Sequence, residues 1–256
     1  MSTEKMQASF RLLMLITTPK LAEKALLLFE KGRLPMQIQA YAHGTASREM
    51  MDMLGLDSGE KSLLLTVMPK ADADDLLRGK RIALLTAASG INKQGIPTYR
   101  VLAGRYLLRV IFAPEHGLFT NLQDGRFDDD REETDPETGV PVCNLGTEGN
   151  PHMDAYLGQC DIAVYDIQDV GARFYTYLSN LTQLMRGCVR AGIPLLVLDR
   201  PNPIGGLDME GAILDEGHFS SFIGEFAVPT RYALTVGEYA AYVNREKKIG
   251  CELHVL

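Results

Sequence analysis

The chain has 256 residues, of which 46% are apolar and 23% charged, and its formal net charge is −7. This is the composition of an ordinary globular protein with one large domain or two small ones, and the acidic balance disfavours nucleic acid as a partner. No apolar run is long enough to span a membrane and the first residues are polar, so we predict a cytoplasmic protein without membrane association.

Residues 10–78 have the pattern of a small α+β unit. Three strands are predicted, at FRLLMLITTP, MQIQAYA and KSLLLTVMP, and helical patterns follow the first and the third. A shorter helix is predicted between the second and third strands. The order is that of a ferredoxin-like unit that lacks its last strand.

This segment also resembles a known family. Three sequence segments are similar to segments of nitrogen-regulatory P-II-like proteins. They are ITTPKLAEKALLLFEKG, QAYAHGTASREMMDMLGLDSGEK and LLLTVMPK. The resemblance implies a trimeric signalling fold that senses small ligands. We therefore expect residues 1–78 to be an incomplete P-II-like unit through which the chain can form a homo-oligomer.

From residue 79 onwards, apolar strands alternate with helical patterns. Strands are predicted at Arg81–Ala87, Leu107–Ala113, Asp161–Ile167 and the segment IPLLVLD, and helices at Thr98–Gly104 and Arg173–Ala191. Such alternation predicts an α/β fold with a Rossmann-like, mostly parallel sheet and helices on both faces.

Several cofactor signatures are absent from the sequence. It contains neither G-x-G-x-x-G nor a Walker A motif, and its four cysteines lack zinc spacing and are expected to be buried, reduced thiols. The acidic run that starts at Asp128 lacks the spacing of an EF-hand and is expected to be a solvated face of a long loop, Asn121–Gly149. We expect no cofactor and no metal.

The second predicted strand delivers two reactive side chains. In the run IFAPEHGL, Pro114 ends the strand and Gly117 allows a tight turn, so Glu115 and His116 lie side by side at a carboxyl end. In open α/β sheets ligands bind at that edge. The alternative is a polar loop with two solvated side chains.

Polar clusters follow two further strands and should meet Glu115 at the same edge. The third strand delivers Asp166, Gln168, Asp169, Arg173 and Tyr175, and the fourth delivers Asp199, Arg200 and Asn202. The alternatives are that the two strand-end aspartates cap helices or pair with arginines, and that the tyrosine packs in the core.

The sequence segments around these strand ends resemble those of the exo-β-N-acetylmuramidase (NamZ-type) family over about residues 78–256. They are GKRIALLTAASGIN, FAPEHGL, TGVPV, DIQDVGARFYTY, VLDRPNPIGG, EGAIL and SFIGEFAVPTRYALTVGEYA. The resemblance implies a glycosidase that removes terminal N-acetylmuramic acid from the non-reducing end of peptidoglycan fragments. Glu115 matches the family glutamate regarded as the main catalytic candidate.

Glycoside hydrolysis needs a proton donor and stabilisation of an oxocarbenium-like transition state. We assign catalytic roles to Glu115 as general acid, with His116, and to Asp166 or Asp169 as charge stabiliser or activator of water. Substrate binding is assigned to Gln168, Arg173, Tyr175, Asp199, Arg200 and Asn202. Among these, Arg173 suits the lactyl carboxylate and Tyr175, together with His116, suits sugar hydroxyls.

The family normally continues into a second subdomain beyond the segment that ends this chain. Weak or absent hydrolysis by this chain alone is therefore expected. Two alternatives stay open: a P-II-like ligand-sensing regulatory module with a non-catalytic remainder, and a sugar-binding protein that retains the cleft without catalysis.

Overall fold

The structure is a computed structural model that describes residues 10–17, 23, 26, 37–42, 61–69, 76–119, 133–147 and 149–256. Its contacts divide the chain into two compact units, Met1–Asp72 and Ala73–Leu256. In the first unit, strands β1 (Phe10–Thr17), β2 (Gln37–Ala42) and β3 (Lys61–Pro69) form an antiparallel sheet in the order β1-β3-β2. All three strands lie where the sequence predicts them.

The second unit is built on a seven-stranded sheet in the order β10-β9-β8-β4-β5-β7-β6. Its strands are β4 (Arg81–Thr86), β5 (Leu107–Ala113), β6 (Glu133–Thr134), β7 (Pro141–Asn144), β8 (Ile162–Asp166), β9 (Leu195–Val197) and β10 (Leu253–Val255). Every pairing is parallel except that of β6 with β7. This confirms the predicted α/β fold with a mostly parallel sheet.

Helices cover both faces of this sheet, as predicted. They are α1 (Thr98–Arg105), α2 (Met153–Leu157), α3 (Tyr177–Ala191), α4 (Glu216–Phe219) and α5 (Val236–Glu246). Successive strand residues point to opposite faces. Leu85, Phe112 and Tyr165 therefore pack with α2, α3 and α5, whereas Leu84 and Ile111 pack with α1 on the other face.

The loop predicted at Asn121–Gly149 contains part of the sheet. Strand β7 pairs with β5, and β6 pairs with β7 through a turn in which the Asp135 carboxylate accepts hydrogen bonds from the backbone and hydroxyl of Thr138, at 2.8 and 2.7 Å. The acidic run at Asp128 lies outside the described residues.

All four cysteines are buried and free, as the sequence predicts. Among the residues that the structure describes, no helix is both long enough and apolar enough to cross a membrane.

Candidate active site

A tight turn follows β5 at the centre of the sheet. The Gly117 N–H donates to the Pro114 carbonyl at 2.8 Å, and Gly117 has a φ of +78°, which favours glycine. Glu115 and His116 are the two central residues of this turn. Proline and glycine therefore place both side chains at the carboxyl edge of the sheet.

The Glu115 carboxylate is held in place and is only partly exposed. Its side chain is 16% exposed, its Oε1 accepts a hydrogen bond of 2.9 Å from Thr176 Oγ1, and His116 Nε2 lies 3.4 Å from the same oxygen. Thr176 is the residue that precedes α3. Thr176 was not predicted as a site residue. Its position in the segment FYTY, just before the start of α3, is the sequence feature that could have indicated it.

Two exposed aromatic side chains come just before Thr176. The rings of Phe174 and Tyr175 have centroids 5.5 Å apart and are tilted by 33°, and the side chains are 56% and 45% exposed. Tyr175 is therefore a surface residue rather than part of the core. Phe174 was not predicted as a site residue, although exposed aromatic faces are suited to contact a ligand.

Asp166, at the end of β8, is fully buried and forms an ion pair with Arg200. Arg200 also donates to the carbonyls of Ser89 and Ile91, at 2.9 and 3.3 Å, and so joins the loops after β4 and β9. Burial raises the pKa of Asp166, while Thr98 and Arg200 oppose that shift. The structure brings Asp166 and Arg200 to the predicted edge but turns them towards each other.

Asp169 is also buried. Its Oδ2 accepts hydrogen bonds from the Gly171 N–H, at 2.8 Å, and from the Tyr232 hydroxyl. Burial raises the pKa of Asp169, and it raises the pKa of Tyr232 as well. This carboxylate therefore joins the loop after β8 to the segment before α5.

Gln168 and Asn202 also make bonds between loops. Gln168 Nε2 donates to the carbonyls of Asp169 and Pro201, at 2.9 and 3.2 Å, and Asn202 Nδ2 donates to the Leu234 carbonyl at 2.9 Å. Both side chains lie at the carboxyl edge, where they hold backbone carbonyls.

Asp199 binds the first turn of α5. Its carboxylate accepts from Thr235 Oγ1 at 2.6 Å and from the Gly237 N–H at 2.9 Å. This is the helix-capping arrangement that the sequence left open as an alternative for Asp199.

Arg173 binds backbone groups on both sides of α4. Its Nη1 donates to the carbonyls of Ala212 and Val228, at 2.9 and 2.5 Å. Of the predicted catalytic carboxylates, Glu115 is thus the one that is open to solvent, and the aspartates and Arg200 hold the edge around it. Among the described residues, no cluster of three or more His, Cys, Asp or Glu side chains is arranged to hold a metal ion.

Comparison with known proteins gives the family of this sequence. Residues 82–256 match the family described as "Exo-beta-N-acetylmuramidase NamZ, N-terminal". The chain belongs to the NamZ family. Both Glu115 and the strand ends described above fall within the matched residues.

Individual proteins of known name or structure are also similar to most of this chain. The peptidoglycan β-N-acetylmuramidase NamZ of Bacillus subtilis (strain 168) is 38% identical over 193 residues, which are 75% of this chain and 45% of that protein. Two crystal structures of DUF1343 family proteins from Bacteroides fragilis NCTC 9343 are similar in fold. BF0371 is 35% identical with a TM-score of 0.63, covering 71% of this chain and 46% of that one. BF0379 is 33% identical with a TM-score of 0.59, covering 72% and 48%. The chain thus spans about half the length of these relatives.

Proposed function

We propose that this chain carries the proton-donating part of an exo-β-N-acetylmuramidase site, with Glu115 as general acid. The observation that supports this most is the placement of Glu115: a carboxylate on a tight turn at the carboxyl edge, partly exposed and fixed by Thr176. The Bacillus subtilis relative, named as a peptidoglycan β-N-acetylmuramidase, supports the same chemistry.

In the proposed reaction, Glu115 gives its proton to the glycosidic oxygen while the bond from that oxygen to the anomeric carbon breaks. The oxygen of a water molecule forms the new bond to the anomeric carbon, and the proton that this water releases restores Glu115 directly or through solvent. Positive charge then develops on the sugar ring, as in other glycosidases. We propose that the exposed rings of Phe174 and Tyr175 contact the terminal sugar, and that His116 and the Tyr175 hydroxyl bind its hydroxyls. The substrate is a muramic acid saccharide derived from peptidoglycan.

The buried polar residues are proposed to serve this site indirectly. Asp166 with Arg200, and Asp169 with Tyr232, fix the loops after β4, β8 and β9 through bonds to two buried carboxylates. Gln168, Asn202 and Asp199 hold neighbouring backbone groups in the same way. Arg173, whose Nη1 binds the carbonyls of Ala212 and Val228, is proposed to attract the lactyl carboxylate.

The test is Glu115→Gln, which keeps the shape of the side chain and removes its proton donor. We expect release of a chromogenic N-acetylmuramic acid glycoside to fall by about 10²-fold or more, the usual range for loss of a general acid. Glu246→Gln, at the exposed end of α5, is the matched control and should match the parent rate. The comparison is made with a parent rate above that of the uncatalysed reaction. Equal rates for Glu115→Gln and such a parent, with an unchanged circular dichroism spectrum, would show that another residue is the acid.

Three further proposals concern the rest of the chain. We propose that the P-II-like unit expected at residues 1–78 is the first compact unit, Met1–Asp72, that this unit makes the chain a homo-oligomer, and that the protein is cytoplasmic. Light scattering of the whole chain tests the second of these, since a monomer at all concentrations would contradict it.

A further inference from the structure

Two cavities lie side by side along α3. One, of about 250 Å³, is lined by Thr147, Ser179, Gln183, Arg186, Ser221 and Phe222, among others. The other, of about 470 Å³, shares Gln183 and Arg186 with the first and continues to Asn150 and Arg190. The name α3 groove is used below for these two cavities together.

The α3 groove begins next to Glu115. Thr176, whose hydroxyl binds Glu115, is followed on the same face of the helix by Ser179, Gln183 and Arg186, at spacings of three, seven and ten residues. At 1.5 Å per residue, Thr176 and Arg186 are about 15 Å apart along the helix. The groove thus starts one helical turn from the residue that holds the proposed acid.

The walls of the groove are formed by loops that are fixed to α3. Gln183 Nε2 donates to the Thr147 carbonyl at 3.2 Å, and Ser179 Oγ donates to the Phe222 carbonyl at 2.6 Å. Arg186 forms an ion pair with Glu225. The groove is therefore held open by bonds of both walls to one helix.

The chemistry of the lining favours a sugar. Six of the lining residues carry a hydroxyl or an amide, and Phe222 supplies one aromatic side chain. The two arginines are each paired with a carboxylate, Arg186 with Glu225 and Arg190 with Asp154. A surface that is polar but balanced in charge suits a neutral ligand rich in hydroxyls. The larger cavity falls within the usual range of ligand pockets, about 300–1,000 Å³.

We infer that the α3 groove binds the leaving side of the substrate, that is, the sugar joined through its hydroxyl to the terminal muramic acid. This inference rests on the proposed function. The terminal sugar lies at Glu115 beside Phe174 and Tyr175, and the remaining saccharide extends along α3 towards Arg186. The chain therefore distinguishes a disaccharide from a single muramic acid by contacts in this groove.

The first test fills the groove with a bulky side chain. Ser221→Trp and Thr147→Trp, both at exposed lining positions, should weaken binding of N-acetylmuramyl-β-1,4-N-acetylglucosamine by about tenfold or more in calorimetry, while binding of N-acetylmuramic acid changes by less than about twofold. The matched control is Gln159→Trp, which lies just before β8 at the opposite edge of the sheet and should affect neither sugar.

The second test uses the absence of tryptophan from this chain. In Phe222→Trp the new side chain is the sole indole, so its emission reports on the groove. We expect the disaccharide to shift this emission and N-acetylmuramic acid to leave it unchanged, and we expect no shift with either sugar in Gln159→Trp.

The outcomes separate the two proposals. If the parent chain binds N-acetylmuramic acid, but the disaccharide binds equally well to parent, Ser221→Trp and Thr147→Trp, the groove is not the binding site and the proposed function stands. If the parent chain binds neither sugar, the proposed function and the groove are both overturned.

Discussion

At the scale of single residues, the centre of the site is one hydrogen bond. Thr176 Oγ1 donates to Glu115 Oε1 at 2.9 Å, and this bond links the turn after β5 to the start of α3. A hydroxyl that donates to a carboxylate fixes its orientation, and bonds to charged groups are worth about 1.5–3 kcal/mol. Thr176 is therefore a positioning residue for the proposed acid.

Thr176→Val should lower kcat for the chromogenic glycoside about tenfold and leave KM nearly unchanged, because it removes the hydroxyl and retains the shape of the side chain. Thr176→Ser keeps the hydroxyl and should stay within about twofold of the parent. Steady-state kinetics of the three proteins make the comparison. Equal kcat values for Thr176→Val and the parent would mean that this bond does not position Glu115.

The burial of Asp169 predicts a pH dependence of stability. Its pKa is raised in the folded chain, so the folded state holds the proton more tightly than the unfolded state does. The stabilisation that this proton gives is complete below the ordinary carboxyl pKa, about 3.9, and declines as pH rises through the folded value.

Asp169→Asn cannot ionise, and its amide oxygen can still accept from Gly171 and Tyr232. The free energy of unfolding of the parent, minus that of the variant, should therefore fall as pH rises from about 4 to about 7. Urea unfolding at both pH values measures this. The Tyr232 hydroxyl opposes the rise in the pKa of Asp169, so in a Tyr232→Phe background the stability difference between proteins without and with Asp169→Asn should fall more steeply with pH. A stability difference that grows over this pH range would contradict a raised pKa for Asp169.

The sequence predicted which side chains lie at the carboxyl edge of the sheet, but it identified few of their hydrogen-bond partners. Glu115 was predictable because proline and glycine mark the end of a strand. Arg200 forms an ion pair with Asp166, which the sequence offered as an alternative, but its other partners are backbone carbonyls. The partners of Arg173 are also backbone carbonyls, which lie 39 and 55 residues along the chain. No local sequence pattern predicts such a bond, because every residue has a backbone carbonyl and its residue type does not mark it as a partner.

At the scale of elements, the loop after β4 depends on a close approach to β8. A Cβ added at Gly90 would lie 2.0 Å from Thr86 Oγ1 and 2.7 Å from the Asp166 carbonyl oxygen. Glycine is required here by space rather than by backbone angle. The contact brings the ends of the two central strands together beneath the site.

Gly90→Ala should therefore lower the free energy of unfolding by about 1–3 kcal/mol, as overpacking does. The matched control is Gly104→Ala in α1, where nothing lies within 4 Å of the added Cβ and the helix should gain about 0.5–1 kcal/mol. Chemical denaturation of both variants provides the measurement. A Gly90→Ala variant as stable as the parent would mean that β4 and β8 separate easily at this end.

The strands that lie in apolar runs were predictable, including the three-residue β9 within IPLLVLD, whereas β6 and β7, which lie in a polar segment, were not. Leu107–Ala113 is found as predicted, because Leu108 and the four residues Val110–Ala113 are buried between two helical layers and are all apolar. Strand β7 has four residues, starts with proline and lies within a polar segment. So short a strand has no readable period, and it forms because β5 offers an unpaired edge.

At the scale of the whole molecule, the second unit has a core of its own. Leu77 is 2% exposed and packs with Leu84 and Ile111 on the α1 face of the sheet. The second unit therefore includes residues that precede the first strand of the large sheet.

We predict that residues 73–256 fold without the first unit. A fragment of these residues should give dispersed amide resonances and one cooperative unfolding transition. A control fragment that starts at residue 79 lacks Leu77 and should lose about 1.5–3 kcal/mol of stability, the value of one buried leucine. A disordered spectrum for the longer fragment would mean that residues 1–72 are needed for folding.

The fifteen residues of α3 have a consequence for how the family can vary in length. One face of this helix follows Thr176 with Ser179, Gln183 and Arg186, and the other face fills the core with Leu181, Leu184 and Cys188. One inserted residue would rotate everything beyond it by about 100°. It would turn groove residues inward and leucines outward, so insertions and deletions should be found in the loops around α3 and not within it.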